Sequence, residues 1–196
     1  RAPPAGFVSL RARAPAVRLD IRYHRADNFT GAPLPGYGAP GAWLTPASAD
    51  ALAAAQRELA EEGLGLVVFD AYRPTRASRA MVAWAEAHGR EELLGDYVAR
   101  RSGHARGHTV DVGLVSLKSG EPLDMGGEFD AFDRVSHTRA ASGAALERRL
   151  RLRAAMQARG FAPYEREWWH FRHSSPGLPA RDVPYGCDED APERRP

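Results

Sequence analysis

The stretch SGHARGHTVDVGL, Ser102 to Leu114, holds two histidines four apart and an aspartate three further on. Imidazoles and a carboxylate at such spacing are ligand types for a divalent metal, and a metal that keeps one position open activates water for hydrolysis. Two pairings compete. On a helix His104 and His108 would share a face, as in the zinc-binding helix of metalloproteases. That reading needs helix through Gly103, Gly107, Thr109 and Val110, which are poor helix formers, and Ala105-Arg106-Gly107 lacks the acid of the HExxH pattern. The alternative is a loop feeding a strand. His104 then sits on the loop and Asp111 in the strand, and Gly107 lets the chain fold back so that both converge on one ion.

A third ligand comes from EREWWHF, which supplies His170. Two imidazoles and one carboxylate leave a fourth tetrahedral position for water, the arrangement of a catalytic rather than a structural zinc. Glu167, three residues before His170, is close enough to stand beside that water. Strict alternation along a strand puts Glu167 and His170 on opposite faces, so a bulge or turn is expected there.

The elements that must position these groups read as one α+β domain. The first 45 residues are rich in Pro and Gly and read as an extended arm with turns. Thr45-Pro46 caps and opens an Ala-rich helix ending at Gly63. Leu66–Phe69 is a buried strand ending at Asp70, and a second helix runs from about Arg76 to His88 with Thr75 as its cap. Thr109–Leu117 reads as a strand, turned by Lys118-Ser119-Gly120 into a hairpin partner near Glu121–Met125. A third helix covers about Ala144–Arg159, with Leu146, Leu150 and Met156 on overlapping turns, and EREWWHF is the final strand. The sheet is expected to be largely antiparallel, with flanking helices around the zinc site.

The chain has 196 residues, 43% hydrophobic and 27% charged, with a formal net charge of +2. That suits a single domain spanning 1–196, its arm (1–18) and tail (180–196) peripheral. The arginines are interleaved with acids along helices, a solvated face rather than a nucleic-acid groove. No apolar run approaches the ~18 residues that a membrane span needs. A lone Cys187 excludes an internal disulfide and a multi-cysteine zinc site, and its polar, Pro-flanked setting reads as surface rather than nucleophile. The chain starts at Arg1, not Met; a removed signal peptide would make it periplasmic or secreted, and trimming would leave a cytoplasmic protein.

Five segments carry a family resemblance. SGHARGHTVD matches the S-x-H-x-x-G-x-x-x-D signature of the zinc D-alanyl-D-alanine dipeptidases, the VanX type linked to vancomycin resistance. EWWH, DAYRP, MGGEFDAFD and IRYHRADNFTG resemble further motifs of that family, in its order, across roughly residues 20 to 175. The resemblance implies the small α+β fold of DD-peptidase, hedgehog and lysostaphin-type zinc proteins. It implies one Zn2+ per chain on His104, Asp111 and His170, with Glu167 as general base and acid. It implies Arg73 as the oxyanion-stabilising cation, oriented by Asp70, with Tyr23, Ser102 and Asp130 lining the site for a small D,D-dipeptide.

The implied reaction is hydrolysis of D-Ala-D-Ala or a close D,D-dipeptide, in cell-wall turnover or glycopeptide resistance. A resistance enzyme of this kind is expected in the cytoplasm. Two other readings stand beside it: a carboxypeptidase trimming longer peptidoglycan stems, and a zinc-containing binding protein without catalysis. Two positions depart from the family pattern, since His108 and Gly103 stand where serines are expected. His108 is then a hydrogen-bond partner of a ligand, a surface residue or an alternative ligand. His24, His88, His137 and His173 match no ligand role, Trp168 and Trp169 read as core and pocket wall, and Trp43 and Trp84 read as core.

Overall fold

The computed structural model describes residues 2–186, so Cys187 and the end of the tail lie outside the described residues. Along the chain come β1 (Val8–Ser9), α1 (Leu10–Arg13), β2 (Arg18–Leu19), β3 (Trp43–Leu44), α2 (Pro46–Ala60), β4 (Leu64–Asp70), α3 (Thr75–Ala87), β5 (Thr109–Ser116), α4 (Gly143–Gln157), β6 (Phe161–Tyr164) and β7 (Glu167–His173). Five strands form one sheet in the order β2-β4-β5-β7-β6. Only the β2–β4 pair is parallel, and the other pairs are antiparallel. This is the α+β arrangement read from the sequence, and none of its helices is long and apolar enough to cross a membrane.

The helices follow their end signals, with two corrections. Pro46 opens α2 after an extended Thr45, and Gly63, at φ +73°, lets the chain turn back into β4. In α3 the capping position belongs to Pro74, with Thr75 already helical. Asp182, far along the chain, does the capping instead, its carboxylate accepting from Arg76 N at 2.7 Å. On α4 the face turned to the sheet carries Arg149, Leu152, Ala155 and Met156. Leu150 falls about 100° away from Arg149 around the helix and is 36% exposed.

The turn after β5 brings the chain back, Leu123 N donating to Leu114 O at 2.9 Å. The predicted partner strand is reduced to a single bridge at Val115–Pro122, because Pro122 has no N–H to extend a ladder. The Pro/Gly-rich opening is more structured than an extended arm. It includes α1, and Phe7, Leu10, Val17, Tyr23 and Tyr37 are buried in the core. Near the other end Tyr185 is buried as well, its hydroxyl donating to Tyr72 O at 2.6 Å.

Candidate active site

Sheet register brings the acidic and imidazole groups together. Asp70 pairs with Asp111 across β4–β5, and Asp111 pairs with His170 across β5–β7. Both ladders therefore place functional residues on neighbouring strands at one end of the sheet. His104 arrives from the turn Gly103–Arg106 just before β5. Gly107 closes that turn at φ +71°, and a Cβ there would stand 2.3 Å from the Phe7 ring. No other residue type fits. A Cβ at Gly103 would lie 2.6 Å from Thr109 Oγ1, so a serine there would require the Thr109 side chain to shift. The irregularity expected near Glu167 is present as a register shift opposite Tyr164.

The three ligand candidates face one point. Ligand atoms of His104, Asp111 and His170 all lie within 4.8 Å of one another. His104 Nε2 is 3.4 Å from His170 Nδ1 and 3.3 Å from Asp111 Oδ2, while His170 Nδ1 is 2.9 Å from Asp111 Oδ1. The far nitrogen of His104 is held by the Ala71 carbonyl at 2.7 Å, which directs Nε2 inward, as the outer hydrogen bond of a metal-bound histidine does. Glu167 Oε2 is 3.6 Å from His170 Nδ1.

Arg73 enters from the turn after β4. Its Nε donates to Asp70 Oδ2 at 2.8 Å, and Nη2 lies 3.5 Å from Asp111 Oδ2. The guanidinium carbon is 4.9 Å from the Tyr23 ring centre. Asp70 is buried and accepts from the Tyr37 hydroxyl at 2.5 Å through its other oxygen. Tyr23 donates to Asp130 Oδ2 at 2.8 Å.

Asp130 and Phe132 have left-handed backbones, at φ 61° and 48°, a strained state for non-glycine residues that often marks a functional site. Arg149 anchors the segment on which they lie. It is 1% exposed, and its Nε donates to Met125 O at 2.5 Å and Nη1 to His137 O at 2.8 Å.

Electrostatics mark the same cavity. Burial, then repulsion from Asp111 and Asp130, pushes Glu167 well above the usual carboxylate range against the pull of Arg73. Asp130 is raised in the same way, by burial and then Asp111. Burial would also raise Asp111, but His104 and His170 outweigh it and hold the carboxyl low. Burial lowers His170 despite Asp111 beside it, so the ring favours the neutral form that binds metals. Asp111, Asp130 and Glu167 thus share a cavity whose one guanidinium among the described lining residues is Arg73. This excess of carboxylate over cation, together with the converging nitrogens, fits a divalent metal.

The cavity has about 230 Å3 and is lined by Tyr23, Arg73, Ser102, His104, Asp111, Asp130, Glu167 and His170. Every candidate site residue read from the sequence lines it except Asp70, which stands behind Arg73. Tyr97, Phe132, Tyr164 and Trp169 add aromatic rings to the wall. Of these, sequence reasoning reached only Trp169. It also missed Tyr37 and the Ala71 carbonyl; an aromatic residue isolated in a Pro/Gly-rich stretch was the only available signal for Tyr37.

His108 does not join the cluster. It is 8% exposed, with Nδ1 buried and without a partner among the described residues. The remaining histidines make local contacts instead: His24 with Tyr37 O, His88 with Trp84 O, His137 with the Tyr97 hydroxyl and His173 with Ser175 Oγ. Trp43 is buried in the core, and Trp84 is half-buried against Phe29.

Comparison with known proteins agrees with this geometry. The D-ala-D-ala dipeptidase family model of M15 peptidases matches residues 4–185. The chain is 40% identical to a D-alanyl-D-alanine dipeptidase of Streptomyces coelicolor, covering 79% of this chain and 85% of the relative. It is 36% identical to one of Enterococcus faecium, over 92% and 94% of the two chains. A third relative, from Enterococcus faecalis, is also 36% identical, over 85% and 91%. With nearly the whole fold matched and the acid–imidazole cavity assembled at the end of its sheet, the chain belongs to the D-Ala-D-Ala dipeptidase family of metallopeptidases.

Proposed function

We propose that this protein hydrolyses D-alanyl-D-alanine, or a close D,D-dipeptide, to free amino acids in cell-wall metabolism, with a zinc ion held by His104, Asp111 and His170. The observation that carries the reading is the convergence of those three side chains beside Glu167 and Arg73 in one small cavity. The name shared by the bacterial relatives supports the substrate. Two imidazoles and one carboxylate with an open side are the donor set of a catalytic zinc. Bound there, zinc would supply Lewis acidity toward the attacking water and the peptide carbonyl.

The chain's own residues do the rest. Glu167 takes a proton from the attacking water and returns it to the leaving amine. Its burial beside Asp111 and Asp130 makes it a stronger proton acceptor than an ordinary glutamate. Arg73, locked by Asp70, points a fixed guanidinium at the cavity where the oxyanion develops. Asp130, oriented by Tyr23, receives the substrate ammonium, which is expensive to bury unpaired. Ser102 Oγ accepts from His104 N at 3.3 Å, so its hydroxyl hydrogen remains to donate to the peptide. The cavity falls below the ~300–1,000 Å3 of drug-sized pockets, and its small size favours a dipeptide over a peptidoglycan stem.

The test assays D-Ala-D-Ala and a stem pentapeptide side by side, with and without chelator, in the wild type and in Glu167→Ala. Chelator-sensitive turnover of the dipeptide is expected, lost in the variant while zinc stays bound. Full activity in Glu167→Ala would remove the base assignment, and release from the pentapeptide alone would make the protein a carboxypeptidase.

A further inference from the structure

A second cavity, about 720 Å3 and larger than the catalytic one, opens beside the turn that carries His104. It shares Ser102 with the catalytic cavity, and Gly103, Ala105 and Arg106 of the same turn form part of its wall. Five arginines line it: Arg79, Arg100, Arg101, Arg106 and Arg172. Its lining contains no acidic residue among the described residues.

The five are not equally committed. Arg79 and Arg100 are paired with Asp182 and Glu86, at 3.3 and 2.9 Å. Arg106 is braced by the carbonyl oxygens of Leu178 and Gly177, at 3.1 and 3.5 Å; it is held in place without being neutralised. Arg101 and Arg172 have no acidic partner among the described residues. Three exposed arginines without an acidic partner among the described residues therefore line one concavity.

Two buried polar side chains on the same wall are also unsatisfied. Ser78 Oγ and His108 Nδ1 lack a hydrogen-bond partner among the described residues, although Ser78 is 5% and His108 8% exposed. Burial, then the charges of Arg106 and Arg172, keeps the His108 imidazole below its usual range, which leaves the ring responsive to a nearby anion.

We propose that this groove is a binding site for a small, multiply charged oxyanion of the diphosphate class. Planar guanidiniums recognise phosphate oxygens in bidentate fashion. A single carboxylate carries too little charge and too few acceptor oxygens for three arginines, whereas a diphosphate carries enough of both. A single-stranded nucleic acid is disfavoured, since it calls for stacking aromatic rings and His108 is the only aromatic ring on this wall among the described residues.

The test titrates the zinc-loaded protein with inorganic pyrophosphate at fixed ionic strength, by calorimetry and by the NMR signals of the His108 ring. One pyrophosphate per chain is expected, with the ring signals moving in step. Arg101→Ala/Arg172→Ala should weaken binding by about tenfold or more, as hydrogen bonds between charged groups are lost, with zinc content and thermal stability unchanged. Arg57→Ala/Arg139→Ala, which removes two exposed arginines elsewhere, should bind as the wild type does. Equal affinity in the Arg101/Arg172 variant would place pyrophosphate on the catalytic metal and overturn the site. Equal weakening by both double variants would mean general charge attraction and overturn it too, as would no saturable binding.

Discussion

Removing the Arg73 guanidinium has two separable costs. In Arg73→Ala the developing oxyanion loses its fixed positive neighbour, and deleting one such donor typically lowers kcat by about 100- to 1,000-fold, or ~3–4 kcal/mol. The fold also suffers. The Arg73 side chain is 11% exposed and its partner Asp70 is fully buried, and removing one partner of a buried pair costs ~3–5 kcal/mol. That is a large fraction of the ~5–15 kcal/mol by which a domain is stable.

The double variant Asp70→Asn/Arg73→Ala separates the two effects. The amide introduced by Asp70→Asn keeps the shape of the carboxylate and an oxygen for the Tyr37 hydroxyl without leaving an unpaired charge. Stability should largely return in the double variant, while kcat should not. Release of free D-alanine measures kcat, and urea unfolding of the zinc-loaded protein measures stability. Should the folded double variant keep kcat within about tenfold of wild type, less than the loss of one oxyanion donor, Arg73 is a structural ion-pair residue and the catalytic reasoning fails.

Three further outcomes are expected. Glu167 must be ionised to accept a proton, and its raised pKa moves the acid limb of kcat/KM upward; activity should fall at a pH above the ordinary ~4.3 of glutamate, and a limb at or below that value contradicts the environment assigned to it. His108→Ser should leave zinc bound, because the His108 ring lies outside the ligand cluster; stoichiometric loss of zinc by metal analysis would show the wrong histidine was chosen. Arg149→Met should raise KM for D-Ala-D-Ala more than it lowers kcat, because it frees the Met125–His137 segment that presents Asp130. Each lost charge-assisted hydrogen bond should cost ~1.5–3 kcal/mol in urea unfolding, and an unchanged KM with normal stability would dismiss that anchoring role.

Local sequence determined much of the molecule. Glycine and β-branched content around Gly107–Val112 excluded a helical His104–His108 pair, the resemblance then selected His104 with Asp111, and the three-residue spacing of Glu167 and His170 implied a break in strand alternation. Pro46 and Gly63 bounded a helix for the same reason: backbone preference acts within a few residues and can be read there. Ordered motifs then identified the remaining cavity residues. Tertiary structure alone decided how these pieces meet. The register that sets Asp70, Asp111 and His170 side by side, the Tyr37 hydroxyl on Asp70, the Ala71 carbonyl behind His104 and the buried Arg149 under the Asp130 segment all join residues far apart in sequence. Such contacts depend on which surfaces the packed sheet and helices bring together, and no local propensity encodes them. On α4 the distinction is sharpest. Composition favoured Leu150 for the core, but the packing of the helix turned Arg149 inward, where two backbone carbonyls accept from its Nε and Nη1.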